Sequence, residues 1–188
     1  MRSPLVSIII PVYNNSTFIK DCIDDLCRQT FQNIEIIIVD DGSTDNSFET
    51  AKQLEKENIK ICRQQNAGAA VARNTGLAHA KGEFIQFMDI DDFLSHSKIE
   101  RQVNALINAP GKVAVCNYVT FENSNEIDMI KSYPDQTKFI YSTEDTAEFL
   151  LNLWGANGGS YFIQTNCWLI PRSIIEKAGG WREYRCPD

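Results

Sequence analysis

Gly82-Glu83-Phe84-Ile85-Gln86-Phe87-Met88-Asp89-Ile90-Asp91-Asp92 is the stretch on which the fold turns. Its apolar run, Phe84 to Met88, has the length and composition of a buried strand, and it ends in three carboxylates within four residues. Anions so close repel one another unless something positive binds them. Asp-x-Asp at a strand end suits a hard divalent cation. Mg2+ and Mn2+ prefer carboxylate oxygens, and Mg2+ takes only one or two protein carboxylates, leaving positions for water and substrate phosphates. The competing reading is an acidic helix N-terminus, because Asp91 and Asp92 precede Ser95, Ser97 and a helical pattern where the macrodipole favours anions.

The flanking sequence repeats one unit. Upstream, Val6 to Val12 (VSIIIPV) is nearly continuous β-branched and apolar, as expected for a strand covered on both faces. Tyr13-Asn14-Asn15-Ser16 breaks it, and Ile19, Cys22, Ile23, Leu26 and Cys27 then mark one face of an amphipathic helix with Asn15 or Ser16 as its cap. Ile34 to Val39 is a second strand, ending in Asp40-Asp41-Gly42, and Phe48, Ala51, Leu54 and Glu55 predict a helix after it. Ile59 to Cys62 is a short third strand. Ala69 to Ala80 reads as an Ala-rich helix closed by Gly82 as a C-cap. After the acids, Ile99, Val103, Leu106 and Ile107 mark another helix.

Strands alternating with helices at this spacing predict an α/β fold with a mainly parallel central sheet and helices on both faces. In such sheets ligands bind beyond the carboxyl ends of the strands. Tyr13-Asn14-Asn15, Asp40-Asp41 and the Asp89 to Asp92 cluster all fall at such ends.

Past Asn108-Ala109-Pro110-Gly111 the regularity weakens. Val113 to Phe121 reads as a strand and Glu122 to Tyr141 as a loop or hairpin. Ser142 and Asp145 have capping-box spacing for a helix to Leu153. Trp154 to Gly159 reads as a loop and Tyr161 to Ile170 as a strand. Pro171 starts a helix through Ala178 that Gly179-Gly180 stops.

At 188 residues the chain can bury one sizeable core, and no linker separates domains. A net charge of −7 argues against a nucleic-acid binder. Cys22, Cys27, Cys62, Cys116, Cys167 and Cys186 show no Cys-x-x-Cys pair, which disfavours zinc, and most read as small buried hydrophobes. His79 and His96 lack metal or triad spacing, and no Gly-x-Ser-x-Gly or Walker loop is present. The apolar start is too short for a membrane span and lacks a cleavage site, so a cytoplasmic protein is expected.

Four blocks in order, VSIIIPVYN from Val6, IVDDGSTD from Ile38, NAGAAVARNTG from Asn66 and GEFIQFMDIDD from Gly82, resemble the nucleotide-sugar half of a family 2 glycosyltransferase with the GT-A fold. Gln164 to Arg172 and Ala178-Gly179-Gly180-Trp181 are similar to that family's acceptor-side segment. The resemblance implies a Rossmann-like three-layer sandwich forming one catalytic domain. Residues 1–110 would be the nucleotide-sugar half and 111–188 the acceptor half, truncated at the C-terminus.

It further implies an inverting transfer of a sugar from a nucleotide diphosphate, UDP-linked by expectation, to a hydroxyl of a glycan or lipid-linked acceptor, in bacterial cell-surface polysaccharide synthesis. Mn2+ or Mg2+ would be the cofactor. Such a reading also allows peripheral association of the full-length protein with the inner face of the membrane.

By resemblance, Pro11, Tyr13, Asn15, Asp40, Asp41, Arg73, Asp89 and Ile90 form the nucleotide-sugar site. Tyr13 would stack on the base, or else pack structurally. Asp40 or Asp41, with Asp41 preferred, would accept hydrogen bonds from a base N–H and a ribose hydroxyl, unless Asp41-Gly42 only caps the next helix. Arg73 would reach the diphosphate or pair with the Asp cluster, unless it lies on a solvated helix face. Asp89 would contact ribose or metal, and Asp91 would be the main ligand of a metal on the phosphates. Asp92 either supports Asp91 or caps a helix.

Inverting transfer also needs a carboxylate to take the acceptor proton. In the family it follows the Gly-Gly-aromatic segment, which makes Asp188 the best candidate here and Glu183 a weaker one. Pro187 stands where an acid is common, so an Asp beyond the end of the chain is a further candidate. Two alternatives remain: a nucleotide-sugar pyrophosphorylase, which would want a Gly-rich basic loop where Pro11-Val12-Tyr13-Asn14 stands, and a non-catalytic binding module whose acids cap helices.

Overall fold

Val6 to Val12 is apolar on both faces because it is a central strand with a layer of helices packed on each face of its sheet. In the computed structural model, which describes residues 3–120, 142–153 and 163–182, this strand, β1 (Val6–Val12), pairs with β2 (Ile34–Asp40) and with β4 (Phe84–Phe87). β2 in turn pairs in parallel with β3 (Ile59–Arg63). On the far side β4 takes β6 (Trp168–Pro171) antiparallel, and a two-residue β5 (Ala114–Val115) completes the order β3-β2-β1-β4-β6-β5.

Side-chain alternation along β1 divides the core into two layers. Val6, Ile8, Ile10 and Val12 pack with Ile19, Cys22, Ile23 and Leu26 of α1 (Ile19–Cys27), Ala51 of α2 (Ser47–Lys52) and Ile99, Val103 and Leu106 of α4 (Lys98–Leu106). On the opposite face Ile9 joins Ile37, Val39, Ile85 and Phe87 with Ala72 of α3 (Ala69–His79) and Ile175 of α6 (Arg172–Ala178). Two helical layers around a mostly parallel sheet follow. The Ala-rich composition of α3 reflects close approach: a Cβ on Gly76 would lie 2.3 Å from Ile9 Cγ2.

The chain forms two compact units, Met1–Ala114 with Trp168–Asp188, and Val115–Cys167. Among the described residues the second holds α5 (Thr146–Leu153) and a 3-10 turn at Thr165–Cys167. Among the described residues no helix is long and apolar enough to cross a membrane.

Several expectations need correction. α1 starts at Ile19 with neither Asn15 nor Ser16 capping it by side chain; both belong to a turn tied to the next strand's loop. α2 stops at Lys52, so Leu54 and Glu55 lie beyond it. Gly82 is no C-cap, since α3 ends at His79 and Ala80 takes the C-cap position; a Cβ on Gly82 would sit 2.5 Å from the Ser7 backbone nitrogen, so Gly82 is a close-approach residue. α4 begins only at Lys98, after Ser97, which removes the helix-cap reading of Asp91 and Asp92.

Among the described residues, the strand expected at Val113 to Phe121 is confined to Ala114–Val115, and that expected at Tyr161 to Ile170 to Trp168–Pro171, with Phe121, Tyr161 and Phe162 outside the described residues. At α5 the capping side chain is Asp145, which accepts the Glu148 N–H, rather than Ser142. Of the five described cysteines only Cys22 and Cys167 are buried; Cys27 is exposed at the end of α1, and Cys62 on β3 and Cys116 just past β5 are half-buried. The segments 122–141 and 154–159 lie outside the described residues.

At the amino ends of the strands a polar knot fixes the register. Ser7 Oγ donates to Glu35 Oε1 at 2.7 Å while accepting the Gly82 N–H at 2.7 Å. Lys81 N–H donates to the same carboxylate oxygen, and Lys60 Nζ meets Oε2 at 3.0 Å. Burial pushes the Glu35 carboxyl up, but the Ser7, Lys81 and Lys60 hydrogen bonds and the Lys60 charge outweigh it, so its pKa is lowered.

A depressed carboxylate stabilises the fold above its unfolded pKa and loses that contribution as pH falls through its folded pKa. Glu35→Gln is therefore expected to cost about 1–3 kcal/mol at neutral pH, with the gap to wild type closing as pH drops below the ordinary carboxylate range. Urea denaturation across pH checks it. Gly82→Ala, which drives a Cβ into backbone, is expected to cost at least as much at every pH.

Candidate functional site

Because β1, β2 and β4 run parallel, their carboxyl ends open on the same edge of the sheet. A cleft of about 190 Å3 lies there. The β1 end supplies Pro11, Val12, Tyr13 and Asn15, β2 supplies Asp41, the start of α3 supplies Ala69, and the turn after β4 supplies Asp89, Ile90 and Asp91. Ligand pockets usually run to about 300–1,000 Å3, so this cleft would enclose part of a larger ligand. Seven of the residues singled out in the sequence thus meet in one place. Asp40 and Arg73 do not line the cleft, and Asp188 and Glu183 lie outside the described residues.

The β1 end is shaped by Asn14, at φ +51°, the only non-glycine residue with positive φ among those described. Asn tolerates this left-handed backbone better than most residues. Its Oδ1 accepts the Thr44 N–H at 2.8 Å and the Thr44 hydroxyl at 3.2 Å, and its own N–H donates to Ser43 Oγ at 3.0 Å. Asn15 N–H reaches Ser47 Oγ at 2.9 Å. The loops after β1 and β2 are therefore one clamped structure, from which Tyr13 projects, half exposed, at the cleft.

Asp40 and Asp41 separate in role. Asp40 is buried, its Oδ2 paired with Arg63 Nε at 3.1 Å and accepting the Ser43 N–H, while its Oδ1 has no partner among the described residues. Arg63 also lies over the Phe48 ring, 4.6 Å from its centroid. Asp41 organises the approach to α3. Its Oδ1 accepts Gln64 Nε2 at 2.7 Å and Ala67 N–H at 2.9 Å, and its Oδ2 accepts Gly68 N–H at 2.8 Å. Carboxylate oxygens have about four acceptor positions, so Oδ2 keeps room for one more donor. The cap expected from Asp41 is not made: the N-cap of α2 is Asn46, which makes no side-chain cap bond, and Asp45 Oδ1 just before it accepts the Ser47 N–H at 2.9 Å.

After β4, Asp89 is half exposed and its Oδ1 meets Arg73 Nη2 at 2.5 Å. Arg73 is thus neither on a solvated face nor in the cleft lining; it stands behind Asp89. Burial first, then the charges of Asp89 and Asp91, push the Asp92 carboxyl up to about 6. Three acids with Arg73 beside one of them leave a negative excess at the cleft.

Among the described residues no three His, Cys, Asp or Glu side chains form a ready-made metal cage. Two hard carboxylates, Asp89 and Asp91, at one cleft are nonetheless the donor set of an ion that completes its shell with water and phosphate, so the residues fit Mg2+ or Mn2+.

Sequence reasoning missed Asn14, Gln64 and the contacts of Trp181 with Arg73 and Asn74. Only Asn14 carried a local signal, as an Asn in the polar break that follows a strand, where a left-handed residue is well tolerated.

A family model described as glycosyl transferase family 2 matches residues 7–179. The glycosyltransferase GlyA of Streptococcus pneumoniae serotype 4 is 33% identical over 164 residues, 80% of this chain and 24% of GlyA. GlyG of the same organism is 38% identical over 126 residues, covering 65% of this chain and 42% of GlyG. Among solved structures, S. aureus TarS 1–349 superposes with a TM-score of 0.73 at 22% identity over 95% of this chain and 50% of that one. The mannosyltransferase PcManGT from Pyrobaculum calidifontis, solved in complex with GDP-Man and Mn2+, gives 0.68 at 20% identity, over 97% and 49%. These structures share the fold. The chain spans half or less of the length of each of these relatives.

Asn14 offers a test of the clamp. Asn14→Ala loses both the left-handed tolerance and the Thr44 bonds and is expected to cost about 2 kcal/mol. Asn14→Gly restores the backbone freedom and should cost roughly half of that. Denaturant titration of the two variants side by side measures the difference.

Proposed function

We infer function from one premise: the chain belongs to glycosyl transferase family 2. We propose that it is the nucleotide-sugar-binding part of a metal-dependent, inverting glycosyltransferase that moves a sugar from a nucleotide diphosphate donor to a hydroxyl of a glycan or lipid-linked acceptor in bacterial cell-surface polysaccharide synthesis. The observation that carries this is the convergence of Tyr13, Asp41, Asp89 and Asp91 from the ends of three parallel strands on a single cleft.

In this reading Tyr13 gives the base a flat face. Asp41, with one acceptor position free, takes an N–H from the base edge, and Asp40 stays structural under Arg63. Pro11, Asn15 and Ile90 shape the walls. Asp89 and Asp91 would hold Mn2+ or Mg2+, which supplies charge stabilisation to the leaving diphosphate when bound. Arg73 holds Asp89 in place and brings a second positive charge near the diphosphate. A carboxylate in the segment after Trp181, Asp188 foremost, takes the acceptor proton.

Both TarS with UDP-GlcNAc and PcManGT with GDP-Man share this fold, and a single N–H acceptor at Asp41 favours a uridine donor. Family membership leaves the pyrophosphorylase alternative without support. A binding module whose acids merely cap helices is disfavoured because α4 starts only at Lys98 with Ser97 at its N-cap, so neither Asp91 nor Asp92 is a cap residue.

Isothermal titration of UDP and of GDP, each with and without Mn2+, tests the proposal. UDP binding is expected to require Mn2+ and to weaken at least tenfold in Asp91→Ala. Unchanged binding in that variant would remove the metal assignment, and metal-independent binding in the wild type would favour a module over an enzyme.

A further inference from the structure

Arg73 is held from two sides. Its Nη2 meets Asp89 Oδ1 at 2.5 Å, and its guanidinium lies over the Trp181 ring, 4.6 Å from the centroid. The side chain is 12% exposed, and its Nε is buried with no hydrogen-bond partner among the described residues. The carboxylate at one end and the aromatic face beneath both constrain the plane of the fork.

Trp181 is fixed more firmly still. Its N–H donates to Asn74 Oδ1 at 2.8 Å, and its carbonyl accepts from Asn74 Nδ2 at 2.8 Å. The ring meets Phe87 edge to face, 5.2 Å between centroids at 89°. Gly180 brings the chain in at φ +75°, where a Cβ would lie 2.9 Å from Asn74 Oδ1. Asn74 follows Arg73 on α3, and Phe87 ends the strand that leads to Asp89. Trp181 therefore grips the sequence neighbourhood of both members of the ion pair.

We propose that Trp181 is a positioning residue for donor binding, its backbone clamped by Asn74 and its ring, set edge to face with Phe87, holding the Arg73 guanidinium against Asp89. The inference rests on the reading of Arg73 and Asp89 as donor-site residues. Through this contact the donor side of the cleft is tied to the segment that leaves Gly179-Gly180, so the state of one constrains the other. Cation and carboxylate then meet an arriving diphosphate already arranged, and little ordering is left to accomplish on binding.

The test measures nucleotide affinity in Mn2+ by calorimetry, with whichever of UDP and GDP the wild type binds, alongside thermal melting, for the full chain and for Trp181→Phe, Trp181→Leu and Asn74→Ala. Trp181→Phe keeps a π face and is expected to bind within about twofold of wild type. Trp181→Leu removes that face and should bind about fivefold to tenfold more weakly, although both variants lose similar thermal stability. Asn74→Ala, which frees the Trp181 backbone, should weaken binding in the same direction and carries the test if Trp181→Leu does not fold.

Wild-type affinity in Trp181→Leu overturns the proposal, as does equal weakening by Phe and Leu, which would mark Trp181 as a packing residue only. For Asn74→Ala, wild-type affinity overturns the locking role. A wild-type chain that binds neither nucleotide is a distinct result: it overturns the functional reading itself and this inference with it.

Discussion

Parallel pairing of β1 with β2 on one side and β4 on the other is the constraint on which the rest of the molecule depends. A parallel ladder sends every strand in the same direction, so the residues that break the strands accumulate along one edge. Tyr13, Asp41 and Asp89 are far apart in sequence and become neighbours only because of this. The ladder also explains the composition of the strands. With α1, α2 and α4 on one face and α3 and α6 on the other, alternate side chains of β1 enter two separate cores, and neither face tolerates a polar run.

The two ends of the sheet use polar groups differently. At the amino ends, Ser7, Glu35, Lys60 and the Lys81 and Gly82 amides satisfy one another almost completely, which fixes register in a buried setting. At the carboxyl ends the balance is left open. Asp41 keeps an acceptor position, Asp40 Oδ1 has no partner among the described residues, and the Asp89 to Asp92 turn carries more negative charge than Arg73 offsets. Unsatisfied groups cost stability, and their concentration on one edge is what distinguishes a binding edge from a structural one.

Much of this was legible in the sequence. The β-branched runs from Val6 and Ile34 and the stripe Ile19-Cys22-Ile23-Leu26 announce their own periodicity, because each buries its face against whatever the fold supplies. Gly82 was misread because its lack of a side chain answers to Ser7, a strand distant in sequence, and no local pattern records that contact. Asp91 and Asp92 could be read as helix caps because Ser95 and Ser97 follow them; the backbone instead turns through Asp89 to Asp92 and defers the helix to Lys98. β5 shrank to two residues because strand length is set by the partner available, not by β-propensity alone.

By itself the sequence determined the order and type of the main elements, the parallel sheet and the edge on which polar residues would gather, since apolar periodicity and chain direction are local properties that survive any packing. Tertiary structure alone decided which acid faces the cleft and which is buried under Arg63, that Arg73 stands behind Asp89, and that Trp181 docks on Asn74. Those outcomes depend on distances between segments brought together only by folding, and a charge or a ring has no fixed role until its partner has been placed.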